Sequence, residues 1–275
     1  MRLFVSGLRK LVRRPATWVT FGLLAGLLTL IVIAVATVPV GGGDGPGNGQ
    51  GDDPLLLVTF PGAYALILGF ILGLGGLFAL IYGAAIAGSE WSWGTLKTVV
   101  ARGESRSLYM LATFAAIAVV MIVGMIVTFV IGVAAAAVGS TLAGVSLDGI
   151  NDTAALGEVP ELMARGWVGM ITQGALGFAV ATLARSQLAG IGVGIGTYFG
   201  GTFGTIFLPD VVQYLPFQLA TTALGSAAGD GAGFGGGVAT AAGVSADLAL
   251  LLLGAWLVGS LVVAAGFTER AEITG

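Results

Sequence analysis

Long stretches without charged residues decide what this chain can fold into. Residues 54–89 contain no Asp, Glu, Lys or Arg, and five or more stretches exceed the roughly 18 apolar residues that indicate a membrane-spanning helix. Over the whole chain 56% of the residues are hydrophobic and only 9% are charged, whereas soluble domains carry about a quarter charged residues. The sequence therefore predicts an all-α integral membrane protein with a single domain over residues 1–275.

Polar and proline-rich or glycine-rich segments divide the apolar sequence into six predicted transmembrane helices. Residues 54–89 are too long for one crossing, so we expect Pro61 to precede the second helix. An acidic segment (139–161) separates the third and fourth helices, and residues 185–187 alone separate the fourth and fifth. The predicted spans cover about residues 17–40, 63–87, 108–137, 166–184, 188–208 and 246–267.

The first 14 residues predict an amphipathic helix that lies on the membrane surface. Leu3, Phe4 and Leu8 fall on one helical face, and the polar residues fall largely on the other. We expect this helix to contact membrane lipid, and the basic residues assigned to it are Arg9, Lys10, Arg13 and Arg14.

The sign of the charged residues alternates between successive loops. Bases precede the first span and occupy the second loop, the fourth loop and the tail, whereas acids dominate the intervening loops. The positive-inside rule then predicts a multi-pass protein of the cell membrane with both termini in the cytoplasm. The excess of arginine over lysine, together with 48 glycines, is typical of a GC-rich bacterial genome.

The chain lacks the residues that most catalytic sites use. It contains no Cys and no His, which excludes disulfides, thiolate nucleophiles, histidine bases and most zinc or haem ligation. Neither lysine stands in a P-loop, and the GxGxxG match at residues 231–236 lacks a preceding strand. We expect no catalytic residue, no metal site, no cofactor bound by this chain and no nucleic-acid partner.

A polar segment (residues 88–106) between the second and third spans is more polar than membrane insertion requires. Gly94 permits a close turn into a short helix, and Trp91 and Trp93 are suited to anchor it at headgroup depth. One interpretation is that the segment holds only such anchors and the bases of the positive-inside rule. The other is that it binds a soluble partner through Glu90, because topology does not explain an acid among these bases.

Four motifs in order along the chain resemble the permease subunits of type-two ABC exporters. The sequence EWSWGTLK (90–97), followed by ARGESR (101–106), resembles the stretch after the second span of these permeases. LVRRPATW (11–18), GFAVATLARS (177–186) and YLPFQ (214–218) support the resemblance. Each motif is degenerate by itself, and their common order favours this family.

The resemblance implies a function in ATP-driven export. It implies a cytoplasmic coupling helix between spans two and three that docks on a separate ABC ATPase subunit, which binds ATP and Mg²⁺, so this chain is not itself an enzyme. A second permease, either another copy or a paralogue, would complete the substrate path. The residues implied for ATPase coupling are Glu90, Trp91, Gly94, Thr95, Lys97, Arg102 and Arg106. An ATP-independent carrier or channel and a non-transporting membrane scaffold are the alternatives.

Two further sets of residues have more than one interpretation. Glycines every four residues along the fifth span leave a groove that fits a seam between two permeases or packing within the chain: Gly192, Gly196, Gly200 and Gly204. Thr172 and Gln173 are the most polar neighbours within a span, where they either line the substrate path or hydrogen-bond to another helix.

Overall fold

The chain folds into helices that run back and forth between two ends of one bundle. The computed structural model describes residues 2–37, 54–224 and 244–271, which contain no strand. The helices are α1 (Arg2–Arg13), α2 (Pro15–Thr37), α3 (Gly62–Ser92), α4 (Thr95–Ala101), α5 (Arg106–Leu142), α6 (Thr153–Ala184), α7 (Gln187–Phe207), α8 (Pro209–Val212), α9 (Pro216–Leu224) and α10 (Ala246–Arg270). Two short 3-10 helices cover Pro54–Leu57 and Asp148–Asn151. The all-helical prediction is confirmed.

Within the described residues five helices are long and apolar enough to cross a membrane, namely α2, α3, α5, α6 and α10. They coincide with five of the six predicted spans, except that residues 38–40 of the first lie outside the described part of the chain. α7 occupies the remaining predicted span, but its seven glycines lower its hydropathy, and it is not among the five. The sixth span therefore stays a prediction.

Three of the helices, α3, α5 and α6, are much longer than a membrane is thick, and α3 has 31 residues. α5 has 37 residues and α6 has 32, which gives lengths of about 55 and 48 Å against a hydrocarbon core of about 30 Å. The acidic segment (139–161) was predicted to precede the fourth span, but α6 begins within it, at Thr153, and is continuous through Pro160. Asp152 explains this early start, because its side chain accepts hydrogen bonds from the backbone N–H groups of Ala154 and Ala155.

α3 and α6 form the centre of the bundle. They make its most extensive helix–helix contact. In each of them 67% of the 18-residue apolar stretch is buried, compared with 28% for α2 and 22% for α10. Glycines allow their backbones to touch, because a Cβ at Gly83 would meet the carbonyl of Gly174 and a Cβ at Gly177 would meet the carbonyl of Leu80.

Charged residues collect at opposite ends of the bundle. One end, which we call the basic end, brings together α1, the end of α3, α4, the start of α5, the α6–α7 turn and the end of α10. The opposite end, the acidic end, includes the connection from α5 to α6 and the first turns of α6. The basic end carries Lys10, Arg14, Lys97, Arg102, Arg106, Arg185 and Arg270, and the acidic end carries Asp148, Asp152, Glu158 and Glu161.

Candidate functional site at the basic end

Glu90, in the last turn of α3, holds its carboxylate inside the protein with 0% exposure. Lys10 Nζ donates to Oε1 and Oε2 at 2.7 and 2.8 Å, and Arg14 Nη2 donates to Oε1 at 2.8 Å. The hydroxyl of Tyr109 on α5 donates to Oε2 at 2.7 Å. Each carboxylate oxygen thus accepts two hydrogen bonds, and two cations compensate the buried charge.

Arg14 lies at the break between α1 and α2 and is also buried. Its Nη1 donates to Ser89 Oγ at 2.8 Å, and its Nη2 reaches Glu90 on the same turn of α3. Its guanidinium carbon lies 4.7 Å from the centre of the Trp93 ring, within the range of a cation–π contact. One side chain therefore joins the α1–α2 break to the end of α3 and to the residue that precedes the turn into α4.

A second hydrogen bond holds the α1–α2 break against α3, farther from the basic end than Glu90. The hydroxyls of Thr17 and Tyr82 lie 2.7 Å apart. Because Thr17 donates to the backbone carbonyl of Leu11 at 2.7 Å, the hydroxyl of Tyr82 is the donor between them. The first turn of α2 is thereby held against α3 independently of Arg14.

The four bases assigned to the interfacial helix divide into two pairs. Arg9 and Arg13 are exposed, as expected for an interfacial helix. Lys10 and Arg14 instead turn inward, because their four-residue spacing places both beside Glu90. Two of the four bases thus make contacts within the chain, and the interfacial position of the helix stays a prediction.

α4 carries the exposed part of the polar segment. Gly94 has φ 62°, a left-handed conformation that redirects the chain after α3, and α4 begins at the next residue. Leu96 and Val99 pack inward, so the opposite side of α4 faces outward. We call the exposed residues of this region the α4 face: Trp93, Lys97, Thr98, Ala101 and Arg102.

The last turn of α3 also contacts the far side of the bundle. Arg185 follows the end of α6 in a left-handed conformation with φ 50°. Its guanidinium carbon lies 5.2 Å from the centre of the Trp91 ring and 5.5 Å from that of Phe267 on α10. Contacts from α1, α5, the α6–α7 turn and α10 therefore converge on this one turn.

Arg106 fastens the start of α5 to the end of α10. Its Nη1 donates to the backbone carbonyl of Ala271 at 2.8 Å. In the same region Glu269 Oε1 accepts a hydrogen bond from the backbone N–H of Ser107 at 3.2 Å. In both bonds the start of α5 donates and the end of α10 accepts, and together they hold the two helix termini against each other.

The residues implied for ATPase coupling occupy different environments. Lys97 and Arg102 are exposed on the α4 face, and Thr95 is half-buried at the start of α4. Trp91 and Arg106 are engaged in contacts within the chain. Glu90 is not on the surface where we expected it, and its oxygens already accept four hydrogen bonds from three side chains.

Sequence reasoning missed two partners of this site, Ser89 and Tyr109. Tyr109 is 19 residues from Glu90 in the sequence and belongs to the next long helix. The available signal was Glu90 itself, because an acid inside an otherwise apolar helix end requires donors nearby. Its partners were not identifiable without the packing of α3 against α5.

Most of the glycine groove predicted on α7 opens outward. A Cβ at Gly192, Gly196 or Gly200 would meet nothing within 4 Å in the described part of the chain, whereas one at Gly204 would meet Val212. Packing within the chain uses other glycines of α7, since a Cβ at Gly194 would overlap Leu80. The seam between two permeases stays a prediction for the outward-facing glycines.

Thr172 and Gln173 lie inside the bundle. Thr172 donates to the carbonyl of Val168 at 2.8 Å and approaches that of Leu253 at 3.3 Å. Gln173 fills the space beside Gly76, where a Cβ would overlap its amide, and its Oε1 has no hydrogen-bond partner among the described residues. This packing favours the helix–helix interpretation of Thr172, and the substrate path stays untested.

Comparison with known proteins gives a family and no activity. The model of a family described as Protein of unknown function (DUF2705) matches residues 60–267. That range includes α3 through most of α10 and therefore Glu90, Tyr109 and the α4 face. No curated protein matches the sequence.

Proposed function

The chain belongs to the DUF2705 family, and we propose that it is the transmembrane subunit of an ATP-binding-cassette exporter. It crosses a bacterial cell membrane six times, and the excess of bases at one end favours placing that end in the cytoplasm. A separate ATPase subunit binds ATP and Mg²⁺ and docks on the α4 face. A second permease, another copy or a paralogue, completes the substrate path.

The observation that carries the proposal is that the exposed short helix α4 directly follows the last turn of α3, which is hydrogen-bonded to other helices. Lys97 and Arg102 on the α4 face are open to a soluble partner. Two residues before α4, Trp93 contacts the buried Arg14, which is bonded to Glu90. Movement of α4 by a bound partner would therefore act on the helices that meet at the last turn of α3.

α7 supports the parts of the proposal that concern the sixth span and the second permease. Its 21 residues give a length of about 31 Å, which matches the hydrocarbon core. Gly192, Gly196 and Gly200 face outward without contacts in the described chain. Small residues on an outward face let a second helix approach closely in a membrane.

The test is purification of the tagged chain from its native host in mild detergent, with mass spectrometry of the proteins that copurify. We expect an ABC ATPase in proportion to the chain. The double variant Lys97→Glu, Arg102→Glu should lose that subunit, because both substitutions reverse charge on the α4 face. Arg270→Glu is the matched control, since it reverses an exposed charge at the basic end on α10.

Other results would favour the alternatives. Transport by the chain alone in liposomes, with no ATPase present, would indicate a carrier or channel. Partners that include no nucleotide-binding protein, combined with no transport, would indicate a membrane scaffold. Retention of the ATPase by the double variant would exclude the α4 face as its docking surface.

A further inference from the structure

We propose that Arg14 is the positioning residue through which a displacement of α4 reaches α1 and α2. The inference rests on the proposed function for its role in export. The connection itself, between α4 and the helices α1 and α2, lies within this chain and is testable without a partner.

Arg14 is distinguished from the neighbouring Lys10 by what it connects. Both donate to Glu90, but Arg14 also donates to Ser89 and lies over the ring of Trp93. The Trp93 side chain is 67% exposed, so it is open to a partner on one face while it contacts a buried cation on another. Lys10 compensates the charge of Glu90, whereas Arg14 joins Glu90 to the surface.

The backbone of Arg14 lies where two helices are joined. Its N–H donates to the carbonyl of Leu11 at the end of α1, and its carbonyl accepts from the N–H of Thr17 at the start of α2. The contact between Thr17 and Tyr82 holds the α2 side against α3. A displacement of the Arg14 side chain would therefore move α1 relative to α2.

The chemistry of the guanidinium suits this connection. A planar group donates from two nitrogens in one direction and stacks on a ring with its face. An ammonium at the same position retains the positive charge but has no flat face and no fixed fork. Arg14→Lys therefore keeps a cation beside Glu90 and removes the geometry that involves Ser89 and Trp93.

A distance measurement tests the connection directly. The chain contains no cysteine, so Ser6→Cys on the exposed side of α1 and Glu104→Cys beside α4 provide two unique labelling sites. Glu104 lies outside the α4 face, and its backbone N–H donates to the carbonyl of Val99 on α4. The doubly spin-labelled chain is reconstituted in nanodiscs, and the distance distribution is measured by pulsed electron paramagnetic resonance. We expect one narrow peak for the otherwise unchanged chain and loss of that peak in Arg14→Lys.

Lys10→Gln is the matched control, because it removes a cation from Glu90 and leaves the Arg14 contacts to Ser89 and Trp93 in place. It should retain the narrow peak. An unchanged peak in Arg14→Lys, or the same broadening in Lys10→Gln, would overturn the proposal. If Arg14→Lys does not fold, Trp93→Leu breaks the same connection without removing a buried charge, and a narrow peak in that variant would likewise overturn it.

The complex purified from the host separates this inference from the proposed function. With an ATPase bound, Arg14→Lys should retain that subunit, since the α4 face is unchanged, but should lose any nucleotide-dependent shift of the distance between the two labels. If no ATPase copurifies with the unaltered chain, the proposed function fails, and the nanodisc distances still decide the role of Arg14.

Discussion

Lys10 donates to the hydroxyl of Tyr109 at 3.2 Å, although 99 residues separate the two in sequence. The same hydroxyl donates to Glu90, which also accepts from Lys10. The three groups form a closed triangle of hydrogen bonds that joins α1, α3 and α5. Tyr109 thus holds two charged partners in position without carrying a charge itself.

Removing this hydroxyl should weaken the bundle measurably. Tyr109→Phe leaves Glu90 with one donor fewer, so we expect a loss of about 2 kcal/mol in the free energy of unfolding. Unfolding by sodium dodecyl sulfate in mixed micelles, followed by circular dichroism, measures the change. Tyr214→Phe is the matched control on an exposed tyrosine, and an equal loss in both variants would contradict the assignment.

Neutralising the buried acid should cost more. Glu90→Gln leaves Lys10 and Arg14 beside an uncharged amide, and removing one partner of a buried ion pair costs about 3–5 kcal/mol. The same unfolding assay applies. Glu104→Gln provides the control, because Glu104 is an exposed acid of the same polar segment. Stabilities within about 0.5 kcal/mol for the two variants, the range usual for surface changes, would show that the burial of Glu90 does not matter for folding.

Two glycines should respond in opposite ways to the same added methyl group. Gly83→Ala places a Cβ against the carbonyl of Gly174, and overpacking of this kind costs about 1–3 kcal/mol. Gly196→Ala meets nothing in the described chain, so it should stabilise α7 by about 0.5–1 kcal/mol. Unfolding of the single chain tests both. If Gly196→Ala destabilises the single chain at a protein concentration too low for two copies to associate, that glycine packs within the chain.

Arg106→Ala should loosen the end of α10 without affecting partner binding. The variant loses the hydrogen bond to the carbonyl of Ala271, so amide hydrogen exchange near residues 267–271 should accelerate. Mass spectrometry of exchanged peptides reports this region separately from the rest. Arg102→Ala, an exposed base on the α4 face, should leave exchange there unchanged but weaken binding of the partner. If Arg106→Ala instead weakened partner binding and left exchange near residues 267–271 unchanged, Arg106 would be a partner contact.

The long helices were predictable from sequence because membrane insertion imposes a length and a composition on each one. The short helices α8 and α9 were not predicted, since nine residues or fewer carry too little periodicity to stand out. The extent of α6 depended on the Asp152 cap, a local feature that hydropathy does not detect.

The sequence singled out Glu90 but did not identify its surroundings. The amphipathic pattern of α1 placed Lys10 on the polar face of the helix, and the structure pairs it with Glu90, which is 80 positions later. A helical pattern describes one segment at a time and contains no information about a distant counter-charge. The anomaly of Glu90 was visible in the sequence, and its explanation required the tertiary contact.

The touching backbones of α3 and α6 limit how this protein can change shape. With Gly83 against the carbonyl of Gly174 and Gly177 against that of Leu80, sliding one helix along the other by a residue would drive a Cβ into a carbonyl oxygen. The pair therefore has a single allowed register and behaves as a rigid axis. We therefore expect any change in the shape of the bundle to preserve the alignment of these two helices.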